Sequence, residues 1–408
     1  MRNLTIAWRG IIRHARRTLI TVSALIVGLS GMVVFQGFLG QMMQGFRDGT
    51  ILSGVGHLQI AARSRYFVDG EFNPFAYGLK DSDSLAASLR KEHDVTAVFP
   101  STGFVAVAGL GDQSATLLVK AYPPERMYFA PSSGIIIPPA DRFNLGTLVA
   151  GAPVRPQDSS RLVIGETASR VLGAKVGDVV TLMAILPGGS LEGRDFTISG
   201  IFSSPGRDKS FAYTDYRSAA DFIRAQAPPV LMVIARNIAA VPAIADSLPR
   251  DVSFRTWKDL AQLYIQISTI LGSFLSVIRA IILLVTLFIL ANSMNRTVLE
   301  RMREWGTLRA LGTKKKDILY VILWEGCLQG LLGAAVGIAL GFLVSAIIDA
   351  AGGLTYRNGM QAYAILVRPG LDSVWLNLIP AVLTAGLAAL IPGLRAVRLT
   401  PSQCLREA

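Results

Sequence analysis

Four long stretches with at most one charged side chain each divide this 408-residue chain. They cover residues 18–46, 260–295, 326–348 and 373–394, and the second contains one charge, Arg279. About 20 apolar residues in a helix cross the roughly 30 Å hydrocarbon core of a bilayer. The pattern therefore predicts four transmembrane helices, one followed by a long polar interval and then three close together.

Short runs rich in Val, Ile and Phe, separated by Gly, Pro and Asp, fill the interval between the first two spans. Runs such as "GHLQIAA", "SATLLVKAY" and "RDFTISGIF" predict strands, and residues 83–92, 166–172, 215–226 and 238–248 have helical periodicity. The expected fold class is an α-helical membrane protein with four transmembrane helices (one plus three) and a large mixed α+β extracytoplasmic domain inserted between helices 1 and 2. The Pro-rich stretch 123–156 is expected to separate two lobes of that domain.

Composition agrees with this reading. Apolar residues make up 51% of the chain and charged residues 17%. Disordered and collagen-like chains are excluded, because they lack the apolar residues of a core, and ordinary soluble domains are less apolar.

The net charge of +12 is concentrated beside the spans. Residues 1–17 contain five arginines and no acid, and residues 296–317 and the tail are also basic. Because Lys and Arg next to a span resist translocation, both termini and residues 296–317 are expected in the cytoplasm. This topology accounts for the basic excess, so no nucleic-acid partner is expected.

These signals divide the chain into nine segments. They are an amphipathic cytoplasmic helix at 1–17, transmembrane helix 1 at 18–46, the extracytoplasmic (periplasmic) domain at 47–259, a long helix containing transmembrane helix 2 at 260–295, a cytoplasmic loop at 296–317, transmembrane helix 3 at 318–348, a short extracytoplasmic loop at 349–372, transmembrane helix 4 at 373–394 and a cytoplasmic tail at 395–408.

Motifs for catalysis are absent from the sequence. No G-x-x-x-x-G-K-[ST] loop occurs, so the chain is not expected to hydrolyse ATP. The three histidines have no paired metal-ligand spacing, so no metal site is expected. Cys327 and Cys404 lie outside the large domain and are not expected to pair.

Two features of the spans have alternative interpretations. Glycines recur every three or four residues in the third span, from Gly326 to Gly341. They favour close packing with a helix of this chain or of a partner, and a channel lining is the alternative. Arg279 lies about 24 Å from Arg296 along a helix, which favours a position near the outer headgroups; pairing inside the membrane or a substrate headgroup is the alternative.

The loop "RTVLERMREWGTLRALGTKKKDI" has a regular pattern. Charged residues at 300–304 precede Leu308 and Leu311, and Gly306 and Gly312 punctuate the run. A short amphipathic helix of this kind can dock into a groove on a soluble partner. A loop kept basic only by topology is the alternative, and it leaves the Glu, Gly and Leu-Arg-Ala pattern unexplained.

This loop resembles the coupling segment of the FtsX-like permeases of ABC transporters, which reads ER-x-x-E-x-G-x-L-R-A-x-G. Residues 162–204 are similar to the macrolide-exporter-type core domain, and the tail resembles the family ending but departs from it at Gln403 and Cys404. The resemblance covers essentially the whole chain.

Several expectations follow from the resemblance. Two permease subunits, the same or related chains, would sit on a dimer of a cytoplasmic ABC ATPase in the bacterial inner membrane. ATP and Mg would be used by that ATPase, and this chain would bind no cofactor. Movement would pass through the long second helix to the outer domain. The residues expected to contact the ATPase are Glu300, Arg301, Glu304, Gly306, Leu308, Arg309, Ala310 and Gly312.

Within the family, "GHLQI" after the first span and a length near 400 look most like the lipoprotein-releasing permeases, whose partners are lipoproteins and a periplasmic chaperone. An acyl chain would need an apolar opening in the bilayer. The candidate substrate-facing residues are Met32, Phe35, Phe38, Met42, Met43 and Arg279, with ordinary packing as the alternative for the apolar ones. The alternative functions are export of hydrophobic compounds or peptides with a periplasmic adaptor, and signalling to a cell-wall hydrolase.

Overall fold

A computed structural model describes residues 2–13, 15–131, 140–156, 158–186, 189–204, 206–358 and 361–398. The predicted tail from residue 399 onward and Cys404 lie outside the described residues. Two compact units are present. One comprises Met1–Gln44, Ile267–Tyr356 and Tyr363–Ala408, and the other comprises Gly45–Gln266 and Arg357–Ala362.

In the described part of the chain, six short helices lie in the inserted domain, and four long apolar helices lie before and after it. In chain order they are α1 (Arg2–Arg13), α2 (Ala15–Thr50), α3 (Tyr66–Asp69), α4 (Ser82–Leu89), α5 (Glu166–Leu172), α6 (Tyr216–Phe222), α7 (Val241–Asp246), α8 (Trp257–Leu260), α9 (Gln262–Glu300), α10 (Met302–Ala310), α11 (Lys315–Ala350) and α12 (Asp372–Arg398). A π-helical turn, Ile51–Val55, follows α2, and 3-10 turns occupy Pro74–Tyr77, Pro124–Arg126 and Ile238–Ala240.

Among the described residues, four helices are long and apolar enough to cross a membrane. They are Thr18–Val55, which consists of most of α2 and the π-helical turn after it, and the helices α9, α11 and α12. The predicted fold class, one span, an inserted mixed domain and three more spans, is confirmed. At about 1.5 Å per residue, the 39 residues of α9 extend about 58 Å, well beyond the hydrocarbon core. The predicted bounds marked where apolar residues stop, whereas the helix continues through charged residues as far as Glu300.

The glycine stripe of α11 packs against two helices of the same chain. A methyl group on Gly326 would lie 2.6 Å from Cβ of Ala389 in α12. On Gly337 it would lie 2.9 Å from the carbonyl oxygen of Ile26 in α2, and on Gly341 it would meet Val33. Glycine thus permits the close helix approach expected from its spacing, within this chain.

Strands of the inserted domain form one sheet of eleven. They are β1 (Leu58–Ala61), β2 (Val95–Leu110), β3 (Gln113–Tyr122), β4 (Met127–Pro131), β5 (Phe143–Gly151), β6 (Arg161–Gly165), β7 (Val179–Ile185), β8 (Leu191–Ser203), β9 (Phe211–Asp215), β10 (Val230–Ala235) and β11 (Ser253–Thr256). Their order is β11-β1-β10-β2-β3-β9-β6-β8-β5-β4, and β7 pairs with both β2 and β8.

Six of these strands close into a pairing circuit in the order β2, β3, β9, β6, β8, β7 and back to β2. The circuit contributes most of one buried cluster, in which Phe222 of α6 meets Phe104 and Phe196 edge to face. The first half of β2 instead pairs with β10, which carries β1 and β11. One long strand therefore belongs to both halves of the domain.

The stretch 123–156 does not separate two lobes. Its described residues contribute β4 and β5 to the same sheet, and residues 132–139 lie outside the described part. The two halves are joined by β2 and by the return of the chain through β10, so no single linker divides them in the described part of the domain. Similarly, the predicted short loop at 349–372 contains two paired strands, β12 (Leu354–Asn358) and β13 (Gln361–Ile365).

Candidate functional site

The segment between α9 and α11 folds as the short helix α10 with a defined corner at each end. Arg301 interrupts the helical path with φ −97° and ψ 13°. At the other end Gly312 has φ 95°, a conformation that side-chain-bearing residues rarely adopt. The amide of Thr313 donates to the Leu308 carbonyl at 3.0 Å, which closes the helix end. Gly312 is thus required by the backbone.

One face of α10 is docked on the transmembrane helices. Trp305 is 3% exposed and Gly306 is buried. Trp305 belongs to a cluster with Met294 and Val298 of α9 and Ile318 and Ile322 of α11. The apolar contact holds α10 at this end of the bundle.

A chain of ionic contacts lies beside this cluster. Arg301 donates from Nη1 to Oε2 of Glu325 at 3.1 Å and from Nε to Oε2 of Glu304 at 3.1 Å. Its guanidinium carbon lies 4.6 Å from the centroid of the Trp305 ring. Arg13 of α1 approaches the other oxygen of Glu304 at 3.6 Å. The network therefore connects α1, α10 and α11.

Burial distinguishes the members of this network. The side chains of Glu325 and Arg301 are 4% and 12% exposed, whereas those of Glu304 and Arg13 are 47% and 75% exposed. Exposed pairs contribute about 0–1 kcal/mol because water screens them. A buried pair is different, since removal of one partner leaves a charge inside the protein.

The opposite face of α10 and the turn after it are open to solvent. Leu308 is 39% exposed and Leu311 is 79% exposed, and Lys314, Lys315 and Lys316 are also exposed. Two exposed leucines beside three cations suit a partner surface with an apolar groove and acidic residues.

The eight residues expected at a partner contact divide between the two faces. Glu300, Glu304, Leu308, Ala310 and Gly312 are exposed, Arg309 is half-buried, and Arg301 and Gly306 face inward. Sequence reasoning missed Trp305 and Glu325. The one available signal for Glu325 was its position as a lone acid at the start of an uncharged span, which requires a partner.

The candidate substrate-facing side chains are buried or half-buried. Met32 is 2% exposed, and Phe35, Phe38, Met42 and Met43 are half-buried. Arg279 in α9 is also half-buried, and its Nε is buried without a hydrogen-bond partner among the described residues. The described cavities, which lie beside Asp81, Lys120 and Arg126, are not lined by these side chains. Among the described residues, no group of three or more His, Cys, Asp or Glu could hold a metal ion.

Two family models match consecutive parts of the chain. Residues 18–250, more than half of the chain, match the MacB-like periplasmic core domain, and residues 264–401 match the FtsX-like permease C-terminal family.

Individual relatives match over different lengths. An uncharacterized ABC transporter permease of Methanocaldococcus jannaschii is 35% identical over 100 residues, 24% of this chain and 25% of that protein. The lipoprotein-releasing system transmembrane protein LolE of Haemophilus influenzae is 21% identical over 416 residues, 94% of this chain and 91% of LolE. The macrolide export ATP-binding/permease protein MacB of Syntrophobacter fumaroxidans is 30% identical over 159 residues, 39% of this chain and 21% of MacB. The match thus spans a quarter or less of the first and third relatives.

The solved periplasmic region of MacB from Actinobacillus actinomycetemcomitans aligns with 51% of this chain and 92% of its own, at 14% identity and a TM-score of 0.35.

Proposed function

The chain belongs to the ABC transporter permeases of the MacB and FtsX type, and we propose that it transmits ATP-driven movement from a partner ATPase to its inserted domain. The family implies a partner ATPase. The 408 residues contain no phosphate-binding loop, so in this proposal the partner binds ATP and Mg.

The two-sided arrangement of α10 carries the proposal. Its inner face is fixed by Trp305, and its outer face presents Leu308, Leu311 and three lysines. A helix held on one side and exposed on the other can transfer a push from a docked protein to the elements behind it. The proposed ATPase contact is therefore the exposed face, which includes Glu304, Leu308 and Ala310.

Movement would then travel along α9. This helix is continuous from Gln262, six residues after the last strand of the inserted domain, to Glu300, next to Arg301. Its 39 residues extend about 58 Å, and the hydrogen bonds along the backbone make a helix of this length stiff. The proposed orientation places both termini and α10 in the cytoplasm and the inserted domain in the periplasm, in line with the basic flanks of the spans.

For the cargo, we propose acylated lipoproteins taken from the inner membrane. The supporting observation is the match to LolE, which covers 91% of that protein and 94% of this chain. Export with a periplasmic adaptor is the second candidate, supported by the match to the macrolide export protein MacB. In either case a second permease subunit, the same or a related chain, would complete the complex.

A capture experiment tests the ATPase contact. The tagged chain is purified from its native membrane in mild detergent, and co-purifying proteins are identified by mass spectrometry. Leu311→Glu should reduce ATPase recovery at least about tenfold, because it places a charge in the proposed apolar contact. Leu191→Glu, at a leucine 68% exposed in the inserted domain, is the matched control and should retain the ATPase. Full recovery of the ATPase with Leu311→Glu would contradict the proposed contact.

Cargo is tested separately by depleting the chain from cells. Lipoprotein release predicts that newly acylated lipoproteins accumulate in the inner membrane within one generation. Unchanged lipoprotein distribution, together with loss of resistance to an exported compound, would favour the export alternative.

A further inference from the structure

The corner between α9 and α10 is held by a carboxylate from a third helix. Glu325 lies in α11, 24 positions after Arg301, and its side chain is 4% exposed. We infer that Glu325 is the positioning residue of the coupling segment: through Arg301 it fixes the direction in which α10 presents its exposed face. The effect of Glu325 on ATPase coupling rests on the proposed function, whereas its effect on the position of α10 rests on contacts within this chain alone.

The first step of the argument is the place of Arg301. It follows Glu300, the last residue of α9, precedes Met302, the first residue of α10, and has non-helical φ and ψ angles. A change in direction between the two helices must therefore occur at Arg301. Whatever holds this residue sets the angle at which α10 leaves α9.

The second step is the rigidity of α11 at Glu325, the residue that holds Arg301. The next residue, Gly326, lies against α12, where an added methyl group would lie 2.6 Å from Cβ of Ala389. Glu325 therefore stands on a closely packed part of α11. Its Oε2 accepts from Nη1 of Arg301 at 3.1 Å.

The third step concerns how Arg301 is oriented. Its guanidinium lies 4.6 Å from the centroid of the Trp305 ring, one turn into α10, and its Nε donates to Glu304 on the same helix. The planar group thus contacts α10 at two positions and α11 at a third. Movement of α10 relative to α11 must break at least one of these contacts.

The chemistry of the pair distinguishes this role from packing. Glu325→Gln keeps the shape of the side chain but removes its charge, so a space-filling role would tolerate it. A charge-dependent role would not, because Arg301 would keep its largely buried positive charge with only the half-exposed carboxylate of Glu304 as counter-ion. Removing both charges, in the double variant Arg301→Gln/Glu325→Gln, leaves no such charge behind.

The test measures hydrogen–deuterium exchange of the purified full-length chain alone, in peptides covering residues 302–312. Glu325→Gln should accelerate exchange in these peptides about tenfold, and the double variant should show no larger effect than either single variant. The matched control is Asp349→Asn, which breaks the ion pair of α11 with Arg368 at 2.7 Å and should leave residues 302–312 unchanged. Unchanged exchange with Glu325→Gln, or additive effects in the double variant, would overturn the inference.

A second measurement separates this inference from the proposed function. Wild-type chain that captures no ATPase refutes the proposed function, whereas the exchange result still decides the role of Glu325. Where the ATPase is captured, Glu325→Gln should reduce cargo-dependent stimulation of ATP hydrolysis about tenfold with an unchanged amount of inserted chain. Wild-type stimulation in that variant would refute a positioning role for Glu325.

Discussion

Arg301 and Glu304 are adjacent members of one ion network but have different surroundings. Arg301 is mostly buried and faces the bundle, whereas Glu304 is exposed and lies between Arg301 and Arg13. Loss of one partner from a buried pair such as Arg301–Glu325 costs about 3–5 kcal/mol, and loss of an exposed pair costs about 0–1 kcal/mol. Substitutions at Glu304 are therefore expected to cost less stability than substitutions at Glu325.

Glu304→Lys should uncouple ATP hydrolysis from cargo movement. The new cation would stand beside Arg301 and Arg13 and would reverse the charge offered to the ATPase. We expect cargo release from proteoliposomes to fall at least about tenfold while the chain remains inserted and the ATPase continues to hydrolyse ATP. Glu192→Lys, at a glutamate 40% exposed and paired with Arg224, is the matched control. Wild-type coupling in the Glu304→Lys variant would show that Glu304 is not part of the ATPase contact.

His57 is expected to make the stability of the inserted domain depend on pH. The residue is 9% exposed, and its Nδ1 accepts from the amide of Ala235 at 3.3 Å. Burial lowers the pKa of His57 below its ordinary value of 6.5, since the charged form loses hydration inside the domain. The unfolded chain therefore binds a proton more readily than the folded one, and stability falls as the pH drops below about 6.5 towards the lower folded value.

His57→Asn should remove this component, because an amide oxygen can accept the same hydrogen bond but does not titrate in this range. The measurement is thermal unfolding of the full chain in detergent at a series of pH values between about 5 and 8. His93→Asn, at an exposed histidine, should keep the wild-type dependence. An equal acid-induced loss of stability in His57→Asn and wild type would show that other groups cause it.

At the scale of helices and strands, the sequence predicted the elements with short-range signals and missed those that depend on distant partners. The four spans follow from long uncharged stretches, helices α4 to α7 follow from apolar periodicity, and α10 follows from the pattern between Glu300 and Gly312. The ion pair of Arg301 with Glu325 does not, because 24 residues separate the partners and only the packing of α11 beside the corner brings them together. The same applies to β2, whose two halves pair with β10 and β3.

Glycine spacing in α11 gives a prediction at this scale. Gly337→Val should push α2 and α11 apart, because its Cβ would lie 2.9 Å from the Ile26 carbonyl oxygen. Overpacking of this kind costs about 1–3 kcal/mol, so the midpoint of thermal unfolding in detergent should fall. Gly31→Val in α2 is the matched control, since an added methyl group there meets nothing within 4 Å. Equal stability of the two variants would mean that the close approach at Gly337 does not stabilise the bundle.

The whole molecule combines two units whose sequences carry different signals. The apolar helices are identified by composition, because the bilayer requires long uncharged stretches. The inserted domain is identified by alternating strands and turns, and its closed circuit of six strands arises from pairings that no local pattern specifies. The choice of partner and cargo depends on surfaces, and the exposed face of α10 is the surface for which the sequence has a regular pattern of charged, Gly and Leu positions.

Orientation of the whole chain gives the last prediction. Basic residues flank the spans at residues 1–17 and 296–317, so we expect α10 in the cytoplasm and the inserted domain outside. In a chain carrying Cys327→Ala and Cys404→Ser, a cysteine introduced by Leu191→Cys should react with a membrane-impermeant maleimide in intact spheroplasts. One introduced by Leu311→Cys should react only after the membrane is opened, although leucine is 79% exposed at position 311 and 68% at position 191. The reverse pattern would place α10 outside, where no ATP-driven partner could reach it, and would remove the basis of the coupling proposal.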